Sequence, residues 1–214
     1  MESFRYLVAW SGGADSTLLL DWYAETSSKV QQVVALSVTG HPHLFAEFVK
    51  KQNEVQKRYL KHLRRKGYHV QHQRMEMSGT FSFGEPKTDA IAQPLVWLST
   101  IVQVVQDGDR VLMGYIRDDC FWHNRHLFEK AFHSLCRLKG VDVKLEYPLE
   151  WEEKVGVLRR LKRGKVPDSC WFSCEKTKNG KPCGKCSKCL EIKRARKTLK
   201  LEQTRLAPKV EKKR

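Results

Sequence analysis

One short segment, Ser11-Gly-Gly-Ala-Asp-Ser-Thr17, constrains the fold more than any other feature of this 214-residue chain. It is preceded by RYLVAW (Arg5 to Trp10), a β-branched and aromatic run, and STLLLDWYAE from Ser16 continues with the apolar spacing of a helix. A strand, a glycine turn and a helix in that order belong to an open α/β sheet, which binds ligands outside the carboxyl ends of its strands. Gly12 and Gly13 permit positive φ and close backbone approach, and the helix N-terminus adds unpaired amides that favour an anion. Ser11, Ser16 and Thr17 supply hydroxyl donors. Asp15 braces the turn or holds the Mg²⁺ that accompanies nucleotide phosphate. No Gly-Lys-Ser/Thr follows, so this is not a Walker loop.

The rest of the chain repeats the alternation. The runs at residues 32–38, 110–115 and 141–149 and the alternating segment 68–77 read as strands, and stretches at 45–66, 89–106, 124–139 and 151–164 read as helices. The segment 78–87 carries Gly, Ser and Pro without periodicity and reads as a loop. Strands alternating with helices predict a parallel α/β sheet. We expect residues 1–165 to form this domain, with residues 166–214 as a metal-organised loop and basic helix packed on it. No stretch reaches the ~18 apolar residues of a membrane span, and the N-terminus runs straight into a strand instead of a signal peptide, so the expected location is the cytoplasm.

Of the formal charge of +16, residues 159–214 carry +15. The basicity therefore belongs to the C-terminal part, where it serves to track phosphates, to offset thiolates around a metal, or to stay solvated. Seven cysteines are present, and four of them, Cys174, Cys183, Cys186 and Cys189, lie within sixteen residues. Four soft ligands at this spacing suit a structural, tetrahedral Zn²⁺ with a filled coordination shell. An iron–sulfur cluster is the alternative that spacing leaves open. Gly184 would admit the positive φ of the knuckle, and Lys176, Lys178, Lys181, Lys185 and Lys188 would neutralise the thiolates.

Ser-Gly-Gly-x-Asp-Ser after an N-terminal strand resembles the PP-loop of the ATP pyrophosphatase superfamily. Its pairing with Cys174-x8-Cys183-Gly-x-Cys186-x2-Cys189 and a basic helix resembles the 7-cyano-7-deazaguanine synthase family over nearly the whole chain. The resemblance implies a doubly wound parallel PP-loop sheet with the zinc loop beside the active site. It implies ATP bound along Trp10, Ser11, Gly12, Gly13, Ala14, Asp15, Ser16 and Thr17, with Asp15 and Ser16 catalytic, and Mg²⁺ alongside. The reaction implied is adenylation of 7-carboxy-7-deazaguanine and its conversion with ammonia to the nitrile, in queuosine biosynthesis. Transfer of an adenylated acid or base to a macromolecule, protein or tRNA, is the second reading; nucleic acid is not the favoured partner, and a homodimer is compatible with either.

The family's other motifs are only partly matched. Gly40 to His43 covers part of the segment after the second strand, and Ala92, Gln93 and Pro94 stand where the family has Gly-Arg-Asn. Tyr115, Arg117, Asp118, Asp119 and Cys120 lie where it has Asp-Tyr-Pro-Asp-Cys-Arg. Asp118 and Asp119 read as turn or cap residues, His41 and His43 as flanking a turn, and Trp151, Trp171 and Phe172 as core aromatics.

Overall fold

The computed structural model describes residues 4–27, 31–39, 46–76, 86–174, 176–177 and 179–206. Five strands, β1 (Arg5–Ala9), β2 (Gln32–Thr39), β3 (Gln71–Glu76), β4 (Arg110–Met113) and β5 (Lys144–Glu146), form one sheet in the order β3-β2-β1-β4-β5. Every pairing is parallel. Helices α1 (Ala14–Ser27), α2 (Ala46–Arg65), α3 (Pro86–Val102), α4 (Arg125–Lys139) and α5 (Lys154–Arg163) lie between and after the strands, and α6 (Ser187–Leu206) closes the described chain.

The central strands are buried on both faces, and successive side chains leave them in opposite directions. Val8 and Trp10 join a cluster with Leu19 of α1, Tyr59 of α2, Leu161 of α5 and Ala195 of α6. Leu7 and Ala9 join the other cluster, with Ile101 of α3 and Phe132 of α4. Full burial of a Leu or Phe contributes about 1.5–3 kcal/mol, more than a helix cap usually does, so these two layers hold the helices on the sheet. A buried polar tie secures the first layer, where the Tyr59 hydroxyl donates to Asp21 Oδ1 at 3.0 Å and Lys66 Nζ to the same oxygen at 3.2 Å. Cys170, Trp171 and Ala195 lie in the same core as α1, so the segment after residue 165 shares the hydrophobic interior of what precedes it.

Several element boundaries differ from the sequence reading, among them those of α3 and β5, which is shorter than read. The Tyr68 amide donates to the Leu63 carbonyl at 3.0 Å, so residues 66–68 close the end of α2, with Gly67 at φ +81°, and β3 starts only at Gln71. The Glu152 amide donates to Leu149 in a turn that leaves Trp151 80% exposed, and α5 starts at Lys154. Helix α6 starts at Ser187, which puts Cys189 in its first turn. Among the described residues no helix is long and apolar enough to cross a membrane. The segment 78–87 and residues Gly40, His41 and His43 lie wholly or mostly outside the described residues.

The chain runs outward from β1 to β2 and β3, then returns to β4 on the other side of β1. The carboxyl ends of β1 and β4 therefore flank the point where the strand order reverses, where open α/β sheets place their ligand crevice.

Candidate active site and cysteine centre

At that point the chain leaves β1 and turns through Gly12, whose φ of +82° suits glycine. A Cβ on Gly12 would come within 3.2 Å of Val55, and one on Gly13 within 3.3 Å of the Ser11 hydroxyl, so the cradle is shaped for bare backbone. Helix α2 braces the turn from behind. Gln52 Nε2 donates to the Ser11 carbonyl at 2.7 Å, while Gln56 Nε2 donates to the Trp10 carbonyl at 3.3 Å and to Ser37 Oγ at 2.9 Å. Both glutamines are buried, and partners of this kind offset the cost of removing an amide from water. From the β4 side, a Cβ on Gly114 would meet Ser16 backbone atoms at 3.1 Å, so the strand end approaches the loop as closely as only glycine allows.

The C-terminal segment completes the cradle. The Phe172 amide donates to the Gly12 carbonyl at 2.8 Å, and Ser173 Oγ accepts from the Ala14 amide at 3.0 Å, at the N-terminus of α1. A neutral hydroxyl thus sits on one of the helix's first amides, the groups that bind anions.

Beside the loop lies a chain of charges. The Lys154 ammonium donates to Asp15 Oδ1 at 2.7 Å and Oδ2 at 2.5 Å, and it lies 3.7 Å from Glu191. Lys188 stands 3.1 Å from Asp119 and 3.9 Å from Glu191. Lys154 is only 5% exposed, and these carboxylates offset the cost of burying its side chain. Burial works against the Lys188 ammonium, yet Asp119 and Glu191 hold its pKa above the usual lysine range. Burial raises the Glu191 carboxyl against the pull of Lys154 and Lys188. Two of these five groups come from the α1 and β4 ends, one from α5 and two from α6.

The sulfurs of Cys174, Cys183, Cys186 and Cys189 all lie within 4.8 Å of one another, and the Cys183–Cys189 and Cys174–Cys186 pairs are 4.0 Å apart. Gly184 takes φ +73°, as the knuckle requires. The amides of Lys185 and Cys186 donate to Cys183 Sγ at 3.5 and 3.3 Å, and these donors pull its thiol down to about 6. A thiolate held by backbone amides is preorganised for a metal, so the donor set fits one ion. Lys188, expected to offset these thiolates, is paired instead with the two carboxylates.

Residues 49–200 match the sequence model of the queuosine biosynthesis protein QueC. The chain belongs to the QueC family. QueC proteins are PP-loop enzymes of nucleoside modification; the match takes in the four-cysteine centre and begins after the Ser11–Thr17 loop. No curated protein matches in sequence. Among solved structures, the chain is similar to the U34-tRNA thiolase NcsA from Methanococcus maripaludis with its 4Fe–4S cluster, at a TM-score of 0.55 and 12% identity over 95% of this chain and 68% of that one. Identity so low speaks for the shared PP-loop fold alone. A universal stress protein family member from Burkholderia pseudomallei aligns at a TM-score of 0.36 and 14% identity, over 66% of this chain and 94% of that one, too little to carry an argument.

In this QueC-family chain, Ser11, Gly13 and Asp15 are partly exposed along the loop, while Gly12, Ala14 and Ser16 are buried within it. Trp10 and Thr17 lie beneath it: both are fully buried, and the indole Nε1 donates to Thr17 Oγ1 at 3.1 Å. Asp118 is exposed, whereas Asp119 accepts from the Ile116 amide at 2.8 Å and reaches Lys188, so it braces a turn and joins the charge chain as well. Tyr115 stacks on Phe121 at 4.0 Å, and burial pushes its hydroxyl well above the ordinary tyrosine range. Trp171 is buried, as expected of a core aromatic. The reading by sequence missed Gln52, Gln56, Lys154, Ser173 and Glu191. A signal existed for the first two, polar side chains four residues apart on the same helical stripe as Val55 and Tyr59.

Proposed function

We propose that this chain converts 7-carboxy-7-deazaguanine and ammonia to 7-cyano-7-deazaguanine, splitting ATP to AMP and pyrophosphate. The observation that carries the reading is the junction of the phosphate loop and the cysteine centre. The cysteine segment is hydrogen-bonded to the phosphate loop through Phe172 and Ser173, so nucleotide and metal centre build one site in a QueC-family protein.

The cradle of Gly12, Gly13 and the first amides of α1 receives phosphate, with Ser11 and Ser16 as hydroxyl donors. The substrate carboxylate attacks the α-phosphorus of ATP, the bond to pyrophosphate breaks, and the acid becomes its adenylate. Ammonia adds to the carbonyl carbon, AMP leaves with the oxygen, and a proton is lost to give the amide. Adenylation of the amide oxygen by a second ATP, loss of that AMP and loss of two protons leave the nitrile. Mg²⁺ accompanying ATP supplies charge neutralisation; Asp15 is the carboxylate that would hold it, exchanging its partner Lys154, whose ammonium then faces phosphate. Ser173 yields the Ala14 amide to a phosphate oxygen that carries more negative charge.

Cys174, Cys183, Cys186 and Cys189 hold a structural Zn²⁺. Tetrahedral Zn–S bonds of about 2.3 Å put sulfurs roughly 3.8 Å apart, close to the 4.0 Å pairs in this structure. A four-iron cluster gives each cysteine its own iron and spreads the sulfurs farther. Mass spectrometry of a reaction with ATP, Mg²⁺, ammonium and the carboxylic acid tests the function. The expected product is the nitrile with two AMP per molecule; AMP release that needs a macromolecular acceptor would overturn it.

A further inference from the structure

A groove of about 1360 Å³ runs between α2, α5, residues 165–174 and α6, and it reaches Ser173, whose hydroxyl is hydrogen-bonded to the phosphate loop at the Ala14 amide. Its volume exceeds the ~300–1,000 Å³ typical of a small-molecule pocket. Ten of the side chains along it are Lys or Arg and one, Asp168, is acidic. Lys162, Lys193 and Lys197 are exposed and have no ion-pair partner among the described residues. The floor is apolar and aromatic. The Arg196 guanidinium lies 5.6 Å from the centre of the Trp171 ring, and Lys51 Nζ lies 6.0 Å from that of Phe172. Trp171 is 7% exposed, and its indole N–H, buried at this wall, finds no acceptor.

We propose that this groove binds a single-stranded segment of RNA. A cationic trench that follows a phosphate backbone, with an aromatic face at its base for a nucleobase, is the usual solution for single strands, and the half-buried Phe172 is the ring that offers such a face here. An acidic polypeptide would match the charge but bring no rings to the aromatic floor. Queuosine, named in the family's description, is a ribonucleoside, which favours RNA over DNA. The charge of the C-terminal part thus has a use beyond offsetting thiolates, and the groove leads its ligand toward the loop. This goes beyond the small-molecule reaction and does not depend on it.

Fluorescence anisotropy of a labelled twelve-nucleotide RNA, titrated with the full metal-loaded chain and without ATP or acid, tests the groove. The probing variant is Lys162→Glu/Lys193→Glu/Lys197→Glu, at exposed positions, with thermal unfolding checked against the parent. A control, Lys130→Glu/Arg137→Glu/Lys144→Glu, changes net charge equally at exposed positions away from the groove. The expected result is Kd raised at least tenfold by the groove variant alone, and a log Kd against log salt slope flatter by about 0.7 per lost contact. No binding at low salt, equal weakening by both variants, or tighter binding of DNA or polyglutamate would overturn the proposal. Because ATP and acid are absent, either result leaves the nitrile assay to stand or fall separately.

Discussion

Lys154 and Asp15 are 139 residues apart in sequence and share two hydrogen bonds. Read as a surface residue of an anion loop, Asp15 would be removable at little cost to folding; paired with a buried ammonium it is not. Lys154→Met leaves Asp15 without its cation and Glu191 with Lys188 alone, and removal of one partner of a buried pair costs about 3 kcal/mol. Urea unfolding should show that loss, and Asp15→Asn in the same chain should recover more than half of it, because the carboxylate that lost its partner is then neutral. Pyrophosphate release should fall at least 100-fold in the single and the double variant alike. A Lys154→Met protein as stable as its parent would remove the pair from the account.

At the scale of the element, the cysteine centre fixes the first turn of α6 through Cys189 and, through Phe172 and Ser173, the phosphate loop. Chelation should therefore weaken ATP binding and raise amide exchange at residues 12–14 as well as at 172–190, while Ala195 keeps α6 docked in the core. The pH dependence has a definite sign. The folded thiol of Cys183 sits at about 6, below its ordinary value, so in the metal-free chain its stabilising contribution is present above that ordinary value and lost as pH falls through 6. Metal retention should fail over the same acidic range, since the ligand must be a thiolate; zinc release followed by a chromogenic chelator checks it. Elements like these were legible in sequence wherever period and punctuation are local: the five strands, the glycine turn and the cysteine knuckle. The start of α5 misled because Trp151 reads as apolar but stands in solvent. The charge chain was illegible because nothing near Lys154 or Glu191 announces a partner on a distant element.

For the whole molecule, the C-terminal part is a wall of the core as well as of the site. A chain ending at residue 165 lacks Cys170, Trp171 and Ala195 from the cluster around α1 and exposes the faces of α1 and α5 that they cover. Such a truncation should be insoluble or fail to show a cooperative unfolding transition; a soluble, cooperatively melting fragment would mean the two parts are separable. Contacts between residues 10–15 and 154–191 also raise the mean sequence separation of the fold, which slows folding. The hydroxyl of Ser173 seated on the amide of Ala14 has a consequence during synthesis. While the ribosome is still reading the middle of the message, the nascent chain already displays its glycine loop, but with neither Ser173 nor Lys154 beside it. A chain interrupted before residue 154 therefore carries the loop without the Lys154 and Ser173 contacts that complete it in the folded protein.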